Sequence, residues 1–455
     1  MTIISKDDLL SIADTAIKKA MTYGVDEAEA FVYYERATNL ALQGPIVNIK
    51  EPIPIGIGVR VAISKQVGFA SASEISDDVV ESTVKTAVDL AKLSPKDPDF
   101  QTFPKPVKRA SRDGIINKQM LDTPSEDILK TLGEYTKWIF DFDKRINFVE
   151  SGAEKNYMMY AVANSEGIND AAENAYIAAW FIASARVGDV IKSGFDYEIS
   201  RERLNFEKIA ESTAKRAIES LEAKPLKEKL RIPVIIENEP LSGLLRYILS
   251  YGLSGRNVMM KSSYYTDKEK QQVASEKFTL IDDGQMMDGP YTTKVDHEGI
   301  PRQKTILVNN GVLESFVYDS YSAYKLNKEL TGNATRAGSG SQEPFNNAVD
   351  VGFSNLVVQS GSKDFNSFIE SFDEAVVVKT SLLGVGHANR ETGEFSIVAP
   401  NAFLWRNGEL KPLNSVTLAG NFYMVLKNIV DIAGDPKMTM YGKIPTIAFE
   451  KITVS

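Results

Sequence analysis

The chain has 455 residues, 43% of them hydrophobic and 25% charged, which suits a folded protein of roughly two or three domains and argues against extensive disorder. Its formal net charge of -9 opposes binding to phosphate backbones. The sequence contains no cysteine, which excludes disulfides, thiol nucleophiles, iron–sulfur clusters and thiolate ligands to zinc.

The first predicted unit, residues 1–105, mixes helices and strands. Apolar residues at helical spacing predict an opening helix, and Ser5 with Asp8 can cap its start. Residues 27–73 have the pattern of strands around a turn, and residues 77–93 return to helical spacing. The polar, proline-containing residues 94–112 then predict a linker.

The second predicted unit, residues 110–225, is an α+β segment packed with the first. Its predicted elements are a helix over 126–140, strand pieces over 147–150 and 157–163, a turn at 164–167, an apolar run over 175–187 and a helix over 206–221.

The last predicted domain, residues 230–455, is rich in short strands. Its predicted strands include 232–236, 305–308, 375–378, 395–398 and 403–405, and its predicted helices are 241–253, 318–326 and 421–432. Regular βαβ alternation is missing from the pattern. The sequence therefore predicts an α+β fold, with a mixed helix and strand amino-terminal region followed by a strand-rich carboxy-terminal domain.

The amino-terminal residues do not have the pattern of a secretory signal, because Asp7 and Asp8 occupy the place of its positive charge. The longest markedly apolar stretch, 175–185, is about half of the roughly 20 residues that span a bilayer. We expect a cytoplasmic protein, and a membrane-anchored one is the alternative.

The sequence limits catalytic chemistry because it has two histidines, His297 and His387. It has no Gly-x-Ser-x-Gly elbow and no phosphate-binding glycine loop. Acidic residues at Asp282-Asp283 and Asp296-His297-Glu298 could converge on a cation, but acids beside glycine are also common in turns, and we favour that structural interpretation.

Short motifs, in the same order along nearly the whole chain, resemble those of the TldD/PmbA family, also described as the TldD/TldE metallopeptidase family. The matching segments are Gly56–Val61, Val67–Ser71, Lys192–Tyr197, Asp319–Ala323, Thr331–Ala334, Thr392–Ser396 and Ala419–Asn421. The last four resemble its PmbA/TldE branch.

In that family the TldD branch carries a His-Glu-x-x-x-His zinc motif on a helix, completed by a cysteine. The resemblance places Arg246, Tyr247 and Tyr251 at the His, Glu and His positions. Arginine is a permanent cation and tyrosine does not replace a glutamate base, so we expect no catalytic, cofactor or metal residue in this chain. The neighbouring leucines and isoleucine are expected to form an apolar helix face.

The resemblance implies a non-catalytic TldE/PmbA-like subunit of a TldD/TldE-type complex that acts in proteolysis or peptide processing. Its expected partner is a TldD-like catalytic subunit that holds the zinc, its substrate is a peptide or unfolded protein, and the isolated chain can form a homodimer. An older description of the family, modulator of DNA gyrase, suggests an indirect effect, because neither nucleic acid nor membrane is expected as a partner.

Two residues, His387 and Asn389, are candidates for a substrate groove. One alternative is a metallopeptidase or hydrolase in its own right, with Asp296, His297, Glu298 and His387 as unrecognised ligands. Another is a stand-alone peptide- or protein-binding protein.

Overall fold

The computed structural model describes residues 4–44, 46–337 and 343–455. Its helices are α1 (Lys6–Thr22), α2 (Asp77–Leu93), α3 (Lys118–Asp122), α4 (Ser125–Phe142), α5 (Phe206–Glu219), α6 (Asn238–Gly252), α7 (Gly255–Met259), α8 (Ser320–Lys325), α9 (Phe365–Ile369) and α10 (Phe422–Leu426), with 3₁₀ turns at Pro344–Asn346 and Val385–His387. Among these residues, no helix is both long and apolar enough to cross a membrane.

The amino-terminal strands are β1 (Glu27–Gln43), β2 (Ile46–Lys50), β3 (Ile55–Ile63), β4 (Gln66–Ala72), β5 (Ile146–Asn164), β6 (Asn169–Val187) and β7 (Val190–Ser200). They form one seven-stranded sheet in the order β4-β3-β1-β5-β6-β7, and β2 pairs with β1. All of these pairs are antiparallel. Residues 1–105 and 110–225 therefore share a single sheet.

Four helices cover one face of this sheet. Helices α1 and α2 pack over β1, β3 and β4 and the end of β5, whereas α4 and α5 pack over the rest of β5 and over β6 and β7. The side chains of β5 alternate accordingly, because Met159 and Ala161 face these helices while Tyr160 and Val162 face the other way. That other face packs against the carboxy-terminal half.

The carboxy-terminal strands are β8 (Val234–Ile236), β9 (Leu280–Asp283), β10 (Lys304–Asn309), β11 (Val312–Leu313), β12 (Ala334–Thr335), β13 (Asp350–Val351), β14 (Leu356–Val358), β15 (Glu374–Val378), β16 (Glu394–Ala399), β17 (Ala402–Arg406), β18 (Glu409–Leu413), β19 (Val416–Asn421), β20 (Ile429–Ile432), β21 (Lys437–Thr439), β22 (Gly442–Ile444), β23 (Ile447–Phe449) and β24 (Thr453–Val454). Two six-stranded sheets, β11-β10-β9-β14-β22-β21 and β18-β17-β15-β8-β23-β20, form most of this half. Smaller sheets of three and two strands, β16-β19-β24 and β12-β13, complete it. The architecture is α+β with a strand-rich carboxy-terminal half, as the sequence predicts.

The opening helix forms as its sequence indicates. Ser5 accepts a hydrogen bond from the Asp8 amide, and the Asp8 carboxylate accepts one from the Ser5 amide, which is the reciprocal capping box. The helix then buries Leu9, Ala13 and Ala16 against the sheet.

One predicted helix is wrong over its second half, and two predicted strand pieces are confirmed as parts of a longer strand. The predicted helix over 421–432 ends at Leu426, and Ile429–Ile432 forms β20 instead, because it pairs with β23. The predicted strand pieces at 147–150 and 157–163 are parts of one 19-residue strand, β5. Gly152 lies between them, and the Trp180 ring from β6 occupies the space that a side chain at Gly152 would need.

Candidate functional site

Helix α6 presents one apolar face and one polar face. Leu244, Leu245, Ile248 and Leu249 are buried in the main core of the carboxy-terminal half, which confirms the predicted apolar face. The other side of the helix carries Arg246, Tyr247 and Tyr251, all of them partly buried. These three are the positions that the family resemblance aligns with a zinc motif.

Both tyrosines of α6 are tied to residues 384–393, which we call the facing segment. The Tyr247 hydroxyl donates a hydrogen bond of 2.7 Å to the Gly386 carbonyl oxygen, and the Tyr251 hydroxyl donates one of 3.0 Å to the Glu391 carboxylate. The Arg390 guanidinium lies 5.1 Å and 5.0 Å from the centres of the two rings, within the range of cation–π attraction. The helix and the facing segment are thus joined by side chains.

Arg246 contacts aromatic rings rather than carboxylates. Its guanidinium carbon lies 5.6 Å from the centre of the Phe353 ring and 6.0 Å from that of Tyr441. Burial lowers the pKa of Arg246, and the nearby Tyr291, Asp282 and Tyr441 partly offset that effect. The side chain therefore remains a cation in an environment that solvates it poorly.

These three side chains do not fit a zinc ion. Zinc sites in proteins use cysteine, neutral histidine and carboxylate ligands, whereas Arg246 offers only donors and both tyrosine hydroxyls are engaged by the facing segment. In the described parts of the chain, no group of three histidine, cysteine, aspartate or glutamate side chains could hold a metal ion.

A cavity of about 380 Å³ opens beside α6. Arg246 and Tyr247 line it from the helix, Tyr441 from the turn before β22, and Thr380 and Ser381 from the loop after β15. At its other end, the Glu239 carboxylate accepts a hydrogen bond of 2.5 Å from the Tyr197 hydroxyl of the amino-terminal sheet. The cavity thus combines one cationic side chain with aromatic and hydroxyl groups.

The two predicted groove residues lie in the facing segment. His387 is exposed at the end of a 3₁₀ turn, and its backbone amide donates to Gly384. The Asn389 side-chain oxygen accepts from the backbone amides of Glu391 and Thr392. Asn389 therefore shapes the turn that follows His387, and its side-chain oxygen is already used inside the protein.

His297 lies in the interface between the two halves of the molecule. Its ring centre is 5.0 Å from that of Phe31 and 4.8 Å from that of Tyr160, both on the amino-terminal sheet. Burial lowers the pKa of His297 well below its usual value, and the charges of Arg302 and Arg336 add to this effect. His297 is a neutral core residue at pH 7.

The acids beside His297 are also committed to the protein. The Asp296 carboxylate accepts from the backbone amides of Glu298, Ile300 and Ala334, and burial, with the nearby Glu298 charge, raises its pKa to about 7. Glu298 accepts from Arg60 and from the Ser320 amide and hydroxyl. These contacts differ from those of His387, so the structure does not assemble the four alternative ligands into one site.

Asp282 and Asp283 point in different directions from β9. Buried Asp282 accepts from Asn333 and from the Ser354 amide and hydroxyl, and burial raises its pKa. Asp283 accepts from the Gln285 amide. This geometry agrees with the structural interpretation of the pair.

The structure contains a buried ion network that the sequence analysis does not predict. Its four members are Glu29, Arg60, Glu298 and Arg336. Arg60 donates to Glu29 at 2.9 and 2.7 Å and to Glu298 at 2.8 Å, and Arg336 donates to Glu29. Glu29 and Arg60 are register partners in β1 and β3, so pairing those two strands in the sequence would have brought them together. The network joins the two halves of the protein with balanced charge.

Comparison with known proteins shows the same architecture and family elsewhere. The family model of the PmbA/TldA metallopeptidase C-terminal domain matches residues 229–455, and that of PmbA/TldA metallopeptidase domain 1 matches residues 28–91. Metalloprotease PmbA of Escherichia coli O157:H7 is 23% identical over 93% of this chain and 92% of its own length.

Solved structures share the fold over their whole length. TldE from Thermococcus kodakarensis superposes with a TM-score of 0.89 at 23% identity, covering 98% of this chain and 100% of that one. A proposed modulator of a DNA gyrase from Thermotoga maritima superposes with a TM-score of 0.87 at 22% identity, covering 98% and 99%.

Proposed function

Because this chain belongs to the PmbA/TldD metallopeptidase family, we propose that it is the subunit of a two-chain peptidase that does not hold the catalytic metal. The observation that carries the proposal is the state of α6. At the three positions that the resemblance aligns with the family's zinc motif stand an arginine beside an aromatic ring and two tyrosines that donate hydrogen bonds to the facing segment. Its partner in this proposal is a TldD-like chain that binds zinc and cleaves peptides in the cytoplasm.

The surface of the amino-terminal sheet supports association with another chain. Strand β2 is exposed along its whole length, and three of its residues are apolar. Ile46, Val47 and Ile49 leave 58%, 54% and 50% of their surface open to solvent. Edge strands with exposed apolar side chains are ready templates for pairing or packing with a second protein. The proposed partner covers this strand, and a second copy of the chain covers it when the partner is absent.

The test compares peptide hydrolysis by the TldD-like partner alone, by the pair, and by the pair carrying His297→Asn with His387→Ala. We expect the pair to exceed the partner alone and the variant pair to equal the native pair. Size-exclusion chromatography verifies that each pair forms. Loss of turnover in a variant complex that assembles normally would show that this chain contributes chemistry. Hydrolysis by the isolated chain would instead favour a peptidase in its own right.

A second comparison addresses the surface. Ile46→Lys with Ile49→Lys places two charges on β2 without touching the core, because both side chains are exposed. We expect the variant to elute as a monomer and to lose its effect on the partner. The control, Leu93→Lys, changes another exposed apolar residue far from β2 along the chain, at the end of α2, and should leave the complex intact.

A further inference from the structure

Arg246 differs from the other deeply placed arginines because it lacks an acceptor. Arg60, Arg256 and Arg336 form ion pairs with buried carboxylates. Arg201 donates to the carbonyl oxygens of Gly289, Ile115 and Thr292. Within the described residues, the side chain of Arg246 has neither an ion pair nor a hydrogen bond, and its neighbours are the rings of Phe353 and Tyr441.

An unpaired guanidinium in a half-buried position is costly, because it loses hydration without gaining acceptors. Burial lowers the pKa of Arg246, because it disfavours the charged form of the side chain. The donors of a guanidinium form a planar fork that matches a carboxylate with two parallel hydrogen bonds. Arg246 therefore has the chemistry of a carboxylate receptor with its acceptor missing.

Hydroxyl donors stand around the same cation. Tyr291 and Tyr441 form hydrogen bonds through their backbone amides, and in the described parts of the chain their hydroxyls form none. The Tyr441 ring centre lies 6.0 Å from the guanidinium carbon of Arg246, and Tyr441 lines the same cavity. A phenol hydroxyl can donate to a carboxylate oxygen that an arginine already holds.

The remaining walls suit a small ligand. The volume of about 380 Å³ falls in the range of ligand sites, and Leu382, Val385 and Pro240 add apolar surface. The Glu239 carboxylate, the acidic group lining the cavity, is held by Tyr197 and does not pair with Arg246. The opening thus offers one anion position with apolar surface beside it.

One residue that lines the cavity, Thr380, has a strained backbone conformation. Thr380 has φ of 70°, a left-handed conformation that is unfavourable for a β-branched residue. Its hydroxyl accepts from Arg216 and Asn401, which hold it in place. Strained residues of this kind cluster at ligand sites.

We propose that the cavity lined by Arg246, Tyr247 and Tyr441 binds a carboxylate of a peptide, with Arg246 as the bidentate donor and Tyr441 as an additional donor. The choice of a peptide as the carrier of that carboxylate rests on the proposed function. The carboxylate itself follows from Arg246 and its surroundings. The proposed anion position thus lies at a residue that the family resemblance aligns with a zinc ligand.

Ligand-observed NMR titration of the isolated chain tests the proposal with three peptides. The first is acetylated tetra-alanine with a free carboxyl terminus, the second is the same peptide with an amidated terminus, and the third is amidated acetyl-Ala-Glu-Ala-Ala. We expect the amidated tetra-alanine to bind at least tenfold more weakly than the first. Preference for the first or the third peptide tells whether the site takes a terminal or a side-chain carboxylate.

Variants assign the binding to this cavity. Arg246→Gln should weaken the carboxylate peptides at least tenfold and leave the amidated tetra-alanine unchanged, and Tyr441→Phe should weaken the carboxylate peptides severalfold. Arg186→Gln makes the same change at an exposed arginine and should have no effect. The thermal midpoint of Arg246→Gln should not fall below that of the native chain, because the guanidinium has no ion pair or hydrogen bond to lose.

Three results would overturn the proposal: equal binding of the free-acid and amidated tetra-alanine, unchanged carboxylate binding by Arg246→Gln, or no measurable binding of either carboxylate peptide. The measurements use this chain alone. Their failure is therefore distinguishable from failure of the proposed subunit role, which is tested with the TldD-like partner.

Discussion

The backbone amide of Arg336 donates a hydrogen bond of 2.8 Å to Nδ1 of His297. An accepting Nδ1 carries no proton, so the neutral ring holds its proton on Nε2. Protonation of Nδ1 would break this bond and place a charge beside the guanidinium of Arg336. The contact therefore couples the stability of the interface between the two halves to pH.

We expect His297→Asn to remove one contribution to the pH dependence of stability, namely a loss of stability as the pH falls below 6.5. The pKa of His297 is lower in the folded protein than its ordinary 6.5, so between these two values the unfolded chain binds more protons and stability falls as pH falls. The slope from one such group is at most about 1.4 kcal/mol per pH unit. The asparagine oxygen keeps an acceptor for Arg336 but does not titrate.

Urea unfolding at pH 5.0 to 7.0 measures this difference. Asp296, with its pKa raised to about 7, contributes a slope of opposite sign, because its folded form binds the proton over that window. The relevant quantity is therefore the free energy of unfolding of the native chain minus that of His297→Asn, and this difference should decrease toward pH 5. The matched control is His387→Asn, at the exposed histidine. Parallel curves for His297→Asn and the native chain would contradict the prediction.

The buried ion network should be costly to break from one side. Glu29→Gln keeps the shape of the side chain but removes the charge that holds Arg60 and Arg336. Removing one partner of a buried pair costs about 3–5 kcal/mol, and we expect a loss of that size in the free energy of unfolding by urea. Asp141→Asn, in the exposed pair with Lys137, should change it little. Similar losses for the two variants would refute the distinction.

Two glycines should resist substitution because helices lie directly on them. A Cβ at Gly68 would stand 2.1 Å from the Ala87 carbonyl oxygen, and one at Gly194 would stand 2.1 Å from that of Thr213. We expect Gly68→Ala and Gly194→Ala each to destabilise the protein by about 1–3 kcal/mol, as overpacking does.

The matched control is Gly133→Ala, inside α4, where nothing lies within 4 Å of the added atom. It should raise the thermal midpoint, since alanine is favoured over glycine in a helix by up to about 1 kcal/mol. A lower midpoint for this control than for Gly68→Ala would be incompatible with the packing described.

We expect the purified chain to contain much less than one zinc per chain by elemental analysis. Introducing the motif through Arg246→His, Tyr247→Glu and Tyr251→His should not create a peptidase, because no cysteine ligand and no partners that orient metal-bound histidines accompany it. Zinc content and peptide hydrolysis of this triple variant are measured beside those of the native chain. Robust hydrolysis would show that the rest of a metal site is present.

Local patterns in the sequence predict much of the fold. The helical spacing of apolar residues predicts α2, and the Ser5–Asp8 capping pair predicts the start of α1. Both signals lie within a few neighbouring residues. The end of α10 was missed because β20 is decided by pairing with β23. The ion network was missed for a related reason: Glu298 reaches an arginine 238 positions away, and Glu29 reaches one 307 positions away.

For the candidate site too, the sequence predicts which residues are involved but not their contacts. The family resemblance locates Arg246, Tyr247 and Tyr251, but their residue types alone do not reveal what they contact. The hydrogen bonds of the two tyrosines depend on a segment about 140 positions along the chain. The missing acceptor of Arg246 is a property of the folded environment, which no local pattern encodes.

The length of β5 and β6 has a consequence for how the protein can be divided. Each has 19 residues, or about 60 Å of extended chain, and β5 contributes to the cores under both pairs of helices. A polypeptide ending near residue 105 would leave β1 without β5, its neighbour along most of its length. Fragments 1–105 and 106–455 should therefore be insoluble when each is produced alone. They should recover a native circular dichroism spectrum only when refolded together, because they are complementary parts of one cooperative unit.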